Sequence, residues 1–546
     1  MKIQGKVIAS IATTFLLTMC ISCASKQKVD LIVVNAKVYT VDKNMSKAEA
    51  FAVKDEKFIE IGSSQSIAST YEAKKVIDLE GKPVYPGFID AHCHFFALGL
   101  NKQKVDLVGT SSYKEVLGRV VAFQKERQAS FIQGGGWDQN DWEVKEFPTK
   151  DALDSLFPDT PVVLSRIDGH AYLVNQKALD LAGITSETKI DGGEIIIKNG
   201  EPTGVLVDNP MGLIDKVMPA ITTETAIYAL TDAQKVCFDY GLTTVNDAGL
   251  SKQTILLIDS LQKTGKLDMR IYAMVSNTPE SVNYFLERGI LKTDKLDVRS
   301  VKAYADGALG SRGAALKAPY TDKHGHFGAM VTPVDQIYSL AERLAKTDYQ
   351  LNTHAIGDSA NVVVLRAYEK ALKDQEDRRW KVEHAQIVDV KDFHYFSNNI
   401  IPSVQPTHAT SDMYWAKDRV GPKRIKGAYA YKTLLDKAGV IALGTDFPVE
   451  YVSPFLTFYA AVARKDVKGF PQNGFQTKDA LSREETLKGM TIWAAYSNFE
   501  EKEKGSIEKG KWADFVVLDK DIMTVPVEQI PDMKATYTFV GGKQMK

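Results

Sequence analysis

The chain has 546 residues, of which 44% are hydrophobic and 25% are charged, and its formal net charge at pH 7 is −1. That length provides for a large core and more than one domain. The near-zero charge, without a basic patch interleaved with aromatic side chains, argues against nucleic acid or a strongly acidic molecule as a partner.

The first 22 residues predict export and not a folded element. Two lysines precede an apolar run over residues 7–19, which is too short to span a membrane as a mature helix. Ile21-Ser22-Cys23 resembles a bacterial lipobox, whereas Cys20 follows a bulky methionine. We therefore expect a lipoprotein signal peptide over residues 1–22 and lipidation of Cys23. The protein would then be exported and anchored to a bacterial membrane on its extracytoplasmic side; an ordinary secreted protein is the alternative.

Short apolar runs separated by turn residues fill residues 29–85, and this pattern predicts a small antiparallel β unit. Between this unit and the C-terminal region, strand candidates alternate with helical segments, which indicates βα units. Eight barrel strands are predicted: Val84–Ile89, Gly241–Asn246, Met269–Met274, Val298–Tyr304, Gln350–Thr353, Trp380–Glu383, Ile400–Val404 and Val440–Gly444.

A long gap separates the first two barrel strands and predicts an insertion at about 100–235 with its own hairpin, Glu194–Leu206. Near the end of the barrel, Ser482 and Glu485 predict the capped start of a helix that runs to Ser497. Apolar runs at 514–519 and 535–540 match the N-terminal β unit and close the chain. Cys93 and Cys237 are predicted to stay free, because a core of this size stands without a disulfide.

Six residues with metal-binding side chains occur in or just after strand candidates. Side chains alternate along a strand, so two histidines one residue apart face the same way. In a parallel barrel the C-terminal ends of all strands point to one face, where active sites are built. We therefore predict a metal site from His92, His94, Lys302, His354, His384 and Asp446. Cys93 should face away from it, and His394, which follows a helix, is left as a polar loop residue.

Several motifs together resemble the amidohydrolase superfamily, in the branch called amidohydrolase family 3 or YtcJ-like. The resemblance covers the chain from about Val29 to its end. It implies an α/β fold: a (β/α)8 TIM barrel over 86–500, with a small β-sandwich formed by 29–85 and 505–546, and the insertion after barrel strand 1. The motifs are PGFIDAHCH, VKAYADGALGSRGAAL, THAIGD, VEHAQ, VQPTH, GTDFP and GSIEKGKWADFVVLD.

The resemblance also implies roles for the six residues. His92 and His94 would bind a buried metal, and His354 and His384 a second, more exposed one. Lys302 would be N-carboxylated, because a carbamate can bridge two metals whereas an ammonium has no lone pair to offer. Asp446 would contact the first metal and accept the proton of the attacking water. If Lys302 instead pairs with a carboxylate such as Asp306, the site could hold one ion. Zinc is the metal expected for a hydrolase, although manganese, iron or cobalt would also suit these ligands.

Substrate selection is expected from the insertion and from the loops that follow the strands. For Trp137 the alternative to substrate binding is core packing, and for His170 it is a structural hydrogen bond. Ser311 and Arg312 belong to the loop that follows Lys302. The predicted substrate-binding residues are Trp137, Asp138, His170, Asp306, Arg312 and His408.

The function predicted from the sequence is metal-dependent hydrolysis of an amide-like, non-peptide C–N bond in a small molecule. Within enzymes, the alternative is a deaminase or a hydrolase of cyclic amides or ureides. The alternative from another class is an inactive surface protein that binds solutes. The complete ligand set favours catalysis, because an active site that has lost its activity has usually also lost one of its metal ligands. The sequence leaves the oligomeric state open, a homo-oligomer included, as well as the substrate.

Overall fold

The computed structural model describes residues 26–139, 142–166, 171–190, 193–208, 210–310 and 312–546. The predicted signal peptide, Cys23, His170 and Ser311 lie outside these residues. The N-terminal elements are β1 (Gln27–Val34), β2 (Lys37–Tyr39), β3 (Lys47–Ala48), β4 (Ala50–Lys54), β5 (Lys57–Gly62), α1 (Ser64–Thr70), β6 (Tyr71–Asp78) and β7 (Pro83–Pro86).

The first βα unit and a long insertion follow. They comprise β8 (Phe88–Cys93), α2 (Phe95–Lys102), β9 (Val105–Asp106), α3 (Tyr113–Arg127), β10 (Ile132–Trp137), α4 (Asp151–Leu156), β11 (Val162–Arg166), β12 (Ala171–Val174), α5 (Gln176–Ala182), β13 (Gly193–Lys198), β14 (Glu201–Asp208), α6 (Met211–Asp215) and α7 (Thr223–Asp239).

The remaining βα units and three closing strands complete the chain. They are β15 (Leu242–Leu250), α8 (Lys252–Lys263), β16 (Arg270–Ser276), α9 (Pro279–Arg288), β17 (Leu291–Lys292), β18 (Leu296–Tyr304), α10 (Val334–Leu344), β19 (Gln350–Ala355), α11 (Asp358–Ala371), β20 (Trp380–His384), β21 (Ile400–Val404), α12 (Pro406–Asp412), α13 (Ala416–Arg424), α14 (Tyr431–Ala438), β22 (Ala442–Leu443), α15 (Pro454–Ala463), α16 (Arg483–Gly489), α17 (Ile492–Ser497), β23 (Phe515–Leu518), β24 (Ala535–Val540) and β25 (Lys543–Gln544).

Eight parallel strands form a nearly closed barrel in the order β8-β15-β16-β18-β19-β20-β21-β22. This arrangement confirms the predicted TIM-barrel α/β fold. At the C-terminal end the gap between β22 and β8 is bridged by hydrogen bonds. The Asp446 N–H donates to the His92 carbonyl at 2.8 Å, and the His94 N–H donates to the Phe447 carbonyl at 2.8 Å. Gly444 permits this approach, because a Cβ there would lie 2.5 Å from the His92 nitrogen.

The first predicted barrel strand, Val84–Ile89, is wrong as a single element. The chain forms two strands, β7 and β8, which break at Gly87 and belong to different sheets. A side chain at Gly87 would meet the hydroxyl of Thr243 at 2.2 Å, so the glycine lets the break pass close to β15. The last strand is also shorter than predicted, since only Ala442–Leu443 pair as β22.

Strands from both ends of the chain share one sheet, ordered β25-β24-β23-β7-β2-β3. A second sheet, β5-β4-β1-β6, packs against it through aromatic side chains. Phe51 of the second sheet lies 4.9 Å from Phe515 of the first, measured between ring centroids, and Phe515 stacks on Phe539 at 4.3 Å. The domain limits drawn from the sequence stay predictions.

The insertion contributes a separate six-stranded sheet, β13-β14-β12-β11-β10-β9. Its predicted hairpin is present as β13 and β14, which pair antiparallel around a turn with positive φ at Asn199 and Gly200. The predicted helix from Ser482 to Ser497 begins with the expected capping box but divides into α16 and α17 at Thr491. In the described part of the chain, no helix combines the length and the apolar character needed to cross a membrane.

Candidate metal centre

Three side chains at the C-terminal end of the barrel form the closest group of candidate ligands. His92 is the second-last residue of β8, His384 ends β20, and Asp446 follows β22. One ligand atom from each of the three lies within 4.8 Å of the others, and all three residues are buried. Strands that are far apart in sequence therefore deliver nitrogen and oxygen ligands to one point.

The other predicted ligands surround this group. The His94 Nε2 lies 3.2 Å from the Asp446 Oδ1, and the Lys302 Nζ lies 3.2 Å from the His92 Nε2. The rings of His354 and His384 are 4.5 Å apart between centroids. The structure thus brings the six predicted ligands together.

The backbone is strained at two of these residues. His384 has φ of 71° and Asp446 has φ of 65°, a left-handed conformation that costs a residue other than glycine about 1–3 kcal/mol. The loop that carries Asp446 is fixed by Asp90, whose carboxylate accepts hydrogen bonds from the Thr445 N–H at 3.0 Å and from the Thr445 hydroxyl at 2.7 Å. The local structure therefore holds the two side chains in place at an energetic cost.

Residues behind the imidazoles set which ring nitrogen faces the centre. The Nδ1–H groups of three histidines donate outward: His92 to Glu383 at 2.5 Å, His94 to the Ala248 carbonyl at 3.1 Å, and His384 to the Gln405 Oε1 at 2.7 Å. Each Nε2 is left as the ligand atom. Glu383 and Gln405 were not identified from the sequence. The available signals were that Glu383 ends a predicted strand, that Gln405 follows one, and that the two lie in the motifs VEHAQ and VQPTH.

The charges at the centre favour ligand binding. Burial lowers the pKa of His92 and of His384, and it lowers the pKa of His354 to about 3, so these imidazoles are neutral. Burial alone would raise the pKa of Asp446, but its hydrogen bond with His94 holds it well below its usual range. His92, His354 and His384 therefore present neutral nitrogens beside a carboxylate that is ionised at neutral pH.

The donor set fits a divalent metal ion. Buried polar atoms without a hydrogen bond are rare in proteins. Such atoms at the centre include the Asp446 Oδ1 and the His408 Nε2. The His354 Nε2 lies 3.6 Å from the Asp306 Oδ1, which leaves its Nδ1 as the ring nitrogen available to the centre. Imidazole and carboxylate ligands suit zinc and its transition-metal neighbours.

Asp306 does not act as the partner that the sequence offered as an alternative for Lys302. Its carboxylate accepts hydrogen bonds from the backbone N–H groups of Ile356 at 3.0 Å, Gly357 at 2.8 Å and Ala315 at 2.8 Å. Burial nevertheless raises the pKa of Asp306 to about 7. Asp306 thus ties together the loops after β18 and β19, and Lys302 faces His92 instead.

His408 is the predicted substrate-binding residue that lies at the centre itself. It belongs to α12, its Nε2 is 3.6 Å from the Asp446 Oδ2, and its ring stacks on His384 at 5.9 Å between centroids.

The remaining predicted substrate residues are engaged elsewhere. Trp137 is fully buried in the core of the insertion, and its indole N–H donates to the Leu164 carbonyl at 2.9 Å, which favours the core-packing alternative. Asp138 forms an ion pair with Arg166 at 2.5 Å. Arg312 pairs with Asp322 at 2.8 Å within its own loop. His170 lies outside the described residues.

We expect Glu383→Gln to weaken metal binding by about 10- to 100-fold, the usual loss when a partner of a ligand histidine is changed. The amide keeps the shape of Glu383 but removes the charge that strengthens His92 as a donor. Burial would raise the pKa of Glu383, but His92 and Lys302 lower it to about 2, so the wild-type group is charged. Competition with a chelator measures the affinity. Glu501→Gln, which alters a carboxylate paired with Arg379, is the control, and equal affinities in the two variants would contradict the prediction.

Known proteins resemble this chain in sequence and in structure. The model of a family described as "Amidohydrolase family" matches residues 75–545. The chain is 33% identical over 521 residues to YtcJ of Bacillus subtilis (strain 168), which bears the name of an amidohydrolase; the match covers 93% of this chain and 97% of YtcJ. It is 26% identical over 544 residues to the N-substituted formamide deformylase of Arthrobacter pascens, covering 94% and 97% of the two chains. The crystal structure of an uncharacterized metal-dependent hydrolase from Pyrococcus horikoshii OT3 superposes with a TM-score of 0.76 at 30% identity, covering 91% of this chain and 99% of that one.

Proposed function

We propose that this chain hydrolyses N-substituted formamides and related N-acyl amines. The premise is that it belongs to the amidohydrolase family and is a metal-dependent hydrolase of C–N bonds other than peptide bonds. The observation that carries this proposal is the group His92, His384 and Asp446, whose ligand atoms lie within 4.8 Å of one another. The name of the Arthrobacter pascens relative supports formamides as the first substrates to test.

The proposed cofactor is zinc, which His92, His94, His354, His384, Asp446 and a carboxylated Lys302 would hold as two ions. Burial lowers the pKa of Lys302 to about 8 against the opposing charges of Glu383 and Asp446. A larger fraction of this amine is therefore neutral and able to react with carbon dioxide than for an ordinary lysine. When bound, such a metal acts as a Lewis acid and lowers the pKa of a water molecule to about 7.

The protein residues divide the proton chemistry between them. Asp446 is ionised and accepts the proton of the attacking water at its carboxylate. It then returns that proton to the nitrogen of the departing amine, which leaves as the C–N bond breaks. Proton transfer of this kind typically contributes about 10²–10⁴-fold to the rate. The imidazoles of His94 and His408 lie beside this carboxylate, with their Nε2 atoms 3.2 Å and 3.6 Å from its oxygens.

A substrate panel tests the function. Purified protein loaded with zinc is assayed for amine release from the N-formyl and N-acetyl derivatives of benzylamine and butylamine, from N-acyl amino acids and from cyclic amides. We expect turnover of N-formyl amines that is abolished by chelation and restored by zinc. Turnover confined to cyclic amides, or ammonia released from a ring amine, would instead favour the two alternatives within the superfamily.

A binding protein without catalysis is distinguished by its metal content. The hydrolase should hold one to two zinc-like ions per chain. A folded protein without bound metal, inactive on the whole panel after zinc is added, would contradict the proposed function.

We also propose that the protein is a lipoprotein anchored to a bacterial membrane through Cys23. The motif Ile21-Ser22-Cys23 after an apolar run supports this localisation. Cys23→Ala should move the protein from the membrane fraction to the soluble fraction and leave the turnover number unchanged. Cys20→Ala is the matched control. Release by Cys20→Ala in place of Cys23→Ala would assign the anchor to the other cysteine.

A further inference from the structure

Tyr304 stands beside the metal centre without a role in the mechanism described above. It lies on β18, two residues after Lys302, and pairs in register with His354 of β19. Its ring centroid is 5.6 Å from that of His354, and the Lys302 Nζ is 5.0 Å from the Tyr304 ring. Alternation along the strand places Tyr304 and Lys302 on the same face, so the phenol ring covers the lysine at the barrel mouth.

Tyr304 is partly exposed, and its hydroxyl has no hydrogen-bond partner in the described part of the chain. The residue is 41% exposed. Two buried tyrosines differ in this respect: the hydroxyl of Tyr272 on β16 donates to Gln350 at 2.7 Å, and that of Tyr368 on α11 donates to Thr353 at 2.7 Å. A free phenol donor beside candidate ligands is therefore available to a bound molecule.

A glycine on β15 makes room for this hydroxyl. A Cβ built on Gly249 would lie 3.2 Å from the Tyr304 hydroxyl oxygen, and Gly249 has φ of +89°. The preceding residue, Ala248, accepts the hydrogen bond from His94. The phenol thus reaches from β18 across to the end of β15. Asp446 lies in the loop after β22, and His408 lies in the helix after β21. Neither of these strands is a neighbour of β15 or β18 in the barrel order.

We propose that the Tyr304 hydroxyl donates a hydrogen bond to the carbonyl oxygen of the scissile amide, which makes Tyr304 a catalytic substrate-binding residue. This proposal rests on the proposed hydrolase function. A substrate held between Tyr304 on one side of the barrel mouth and Asp446 and His408 on the other would present its carbonyl oxygen towards Tyr304 and its nitrogen towards Asp446. A phenol is protonated at neutral pH and donates most strongly to an oxygen that gains negative charge as water adds to the carbonyl carbon.

Tyr304→Phe tests the proposal because it removes the hydroxyl and keeps the ring. We expect kcat to fall by about 10²-fold, the typical loss for one donor to a developing oxyanion, while KM for the best formamide of the panel and the metal content stay close to the wild-type values. Tyr228→Phe is the matched control. Tyr228 is also a partly exposed tyrosine, but it lies on the helix α7 and not on a barrel strand.

Calorimetry with a tetrahedral analogue gives a readout that does not need turnover. The metal-loaded wild type and Tyr304→Phe are titrated with N-benzyl methylphosphonamidate, and with benzylamine as a ligand that lacks the anionic oxygen. We expect about tenfold or greater weakening for the phosphonamidate, as for a hydrogen bond to a charged group, and no change for benzylamine.

Two results for Tyr304→Phe would overturn the proposal. Near-normal kcat and phosphonamidate affinity in a metal-loaded Tyr304→Phe would remove Tyr304 from the reaction. Loss of metal from Tyr304→Phe would make it a structural support of the centre instead of a donor. Inactivity of the wild type on the whole panel would contradict the proposed function itself. The calorimetric comparison distinguishes this failure, because it measures the contact of the Tyr304 hydroxyl with an anionic oxygen without turnover.

Discussion

Asp446→Asn should leave a folded protein that binds metal and has lost at least about 10²-fold in kcat, the low end of the loss when a proton acceptor is removed. The reason is that the amide has the shape of the carboxylate but cannot accept the proton of water. Asparagine is also the substitution that the backbone tolerates, because Asp446 has φ of 65° and asparagine is enriched in this conformation. The N–H of residue 446 would still donate to the His92 carbonyl.

The measurements are steady-state kinetics, metal content and thermal unfolding, made on the same preparations. Asp479→Asn is the control for loss of a buried carboxylate: Asp479 accepts a hydrogen bond from the Thr433 hydroxyl at 2.8 Å, apart from the candidate ligands. It should lose stability without losing kcat. A metal-loaded Asp446→Asn with near-normal kcat would show that another group takes the proton, and His408, with its Nε2 3.6 Å from the Asp446 Oδ2, would be the next candidate.

Most of the barrel could be predicted because its strands carry the information locally. Apolar runs that end in a polar residue recur between helical segments, and parallel strands place those ends on one face. The breaks in this pattern depend on contacts that are remote in sequence. Gly87 lies at the break in the predicted strand Val84–Ile89, where Thr243 packs against it. Gly444 lies against the backbone of His92. No local pattern distinguishes these glycines from ordinary turn residues.

The ligands could be predicted from residue type and position, but their supporting residues could not. Glu383 precedes His384, and regular alternation would place the two on opposite faces of β20. The left-handed backbone of His384 changes this, so that both side chains reach the centre. Gln405 is 21 residues from its partner His384 and meets it only across two strands.

Substrate residues were the least predictable part of the site. Trp137 follows a glycine run and reads equally well as a pocket wall or as core, and only its burial against Leu164 separates the two. Tyr304 follows Lys302 in an ordinary apolar strand, and its free hydroxyl becomes visible only when the neighbouring strand end is in place. Local sequence specifies the chemistry available at a strand end, whereas tertiary packing decides which groups remain free to bind.

Lys302→Ala should lose bound metal and activity together, and short carboxylic acids such as formate and acetate should partly restore both. Lys302 is buried, and its Nζ contacts the His92 Nε2 at 3.2 Å instead of a carboxylate. A buried cation without a close anionic partner is costly, and as an ammonium it would repel a divalent metal. Carboxylation removes both conflicts by replacing the cation with an anion that offers two oxygens. A small carboxylic acid in the space left by the side chain would supply the same group.

Lys381→Ala is the matched control, because Lys381 is also fully buried and burial lowers its pKa to about 8 as well. Its Nζ, however, donates to the Asn498 Oδ1 at 2.7 Å. We expect Lys381→Ala to lose stability, to keep its metal and to gain nothing from added acids. Metal analysis and activity with and without acetate compare the two variants, and labelled bicarbonate should give a carbamate carbon signal in the wild type that is absent from Lys302→Ala. A Lys302→Ala protein with full metal content and activity, or a fully loaded wild type without the carbamate signal, would show that the amine itself occupies the site.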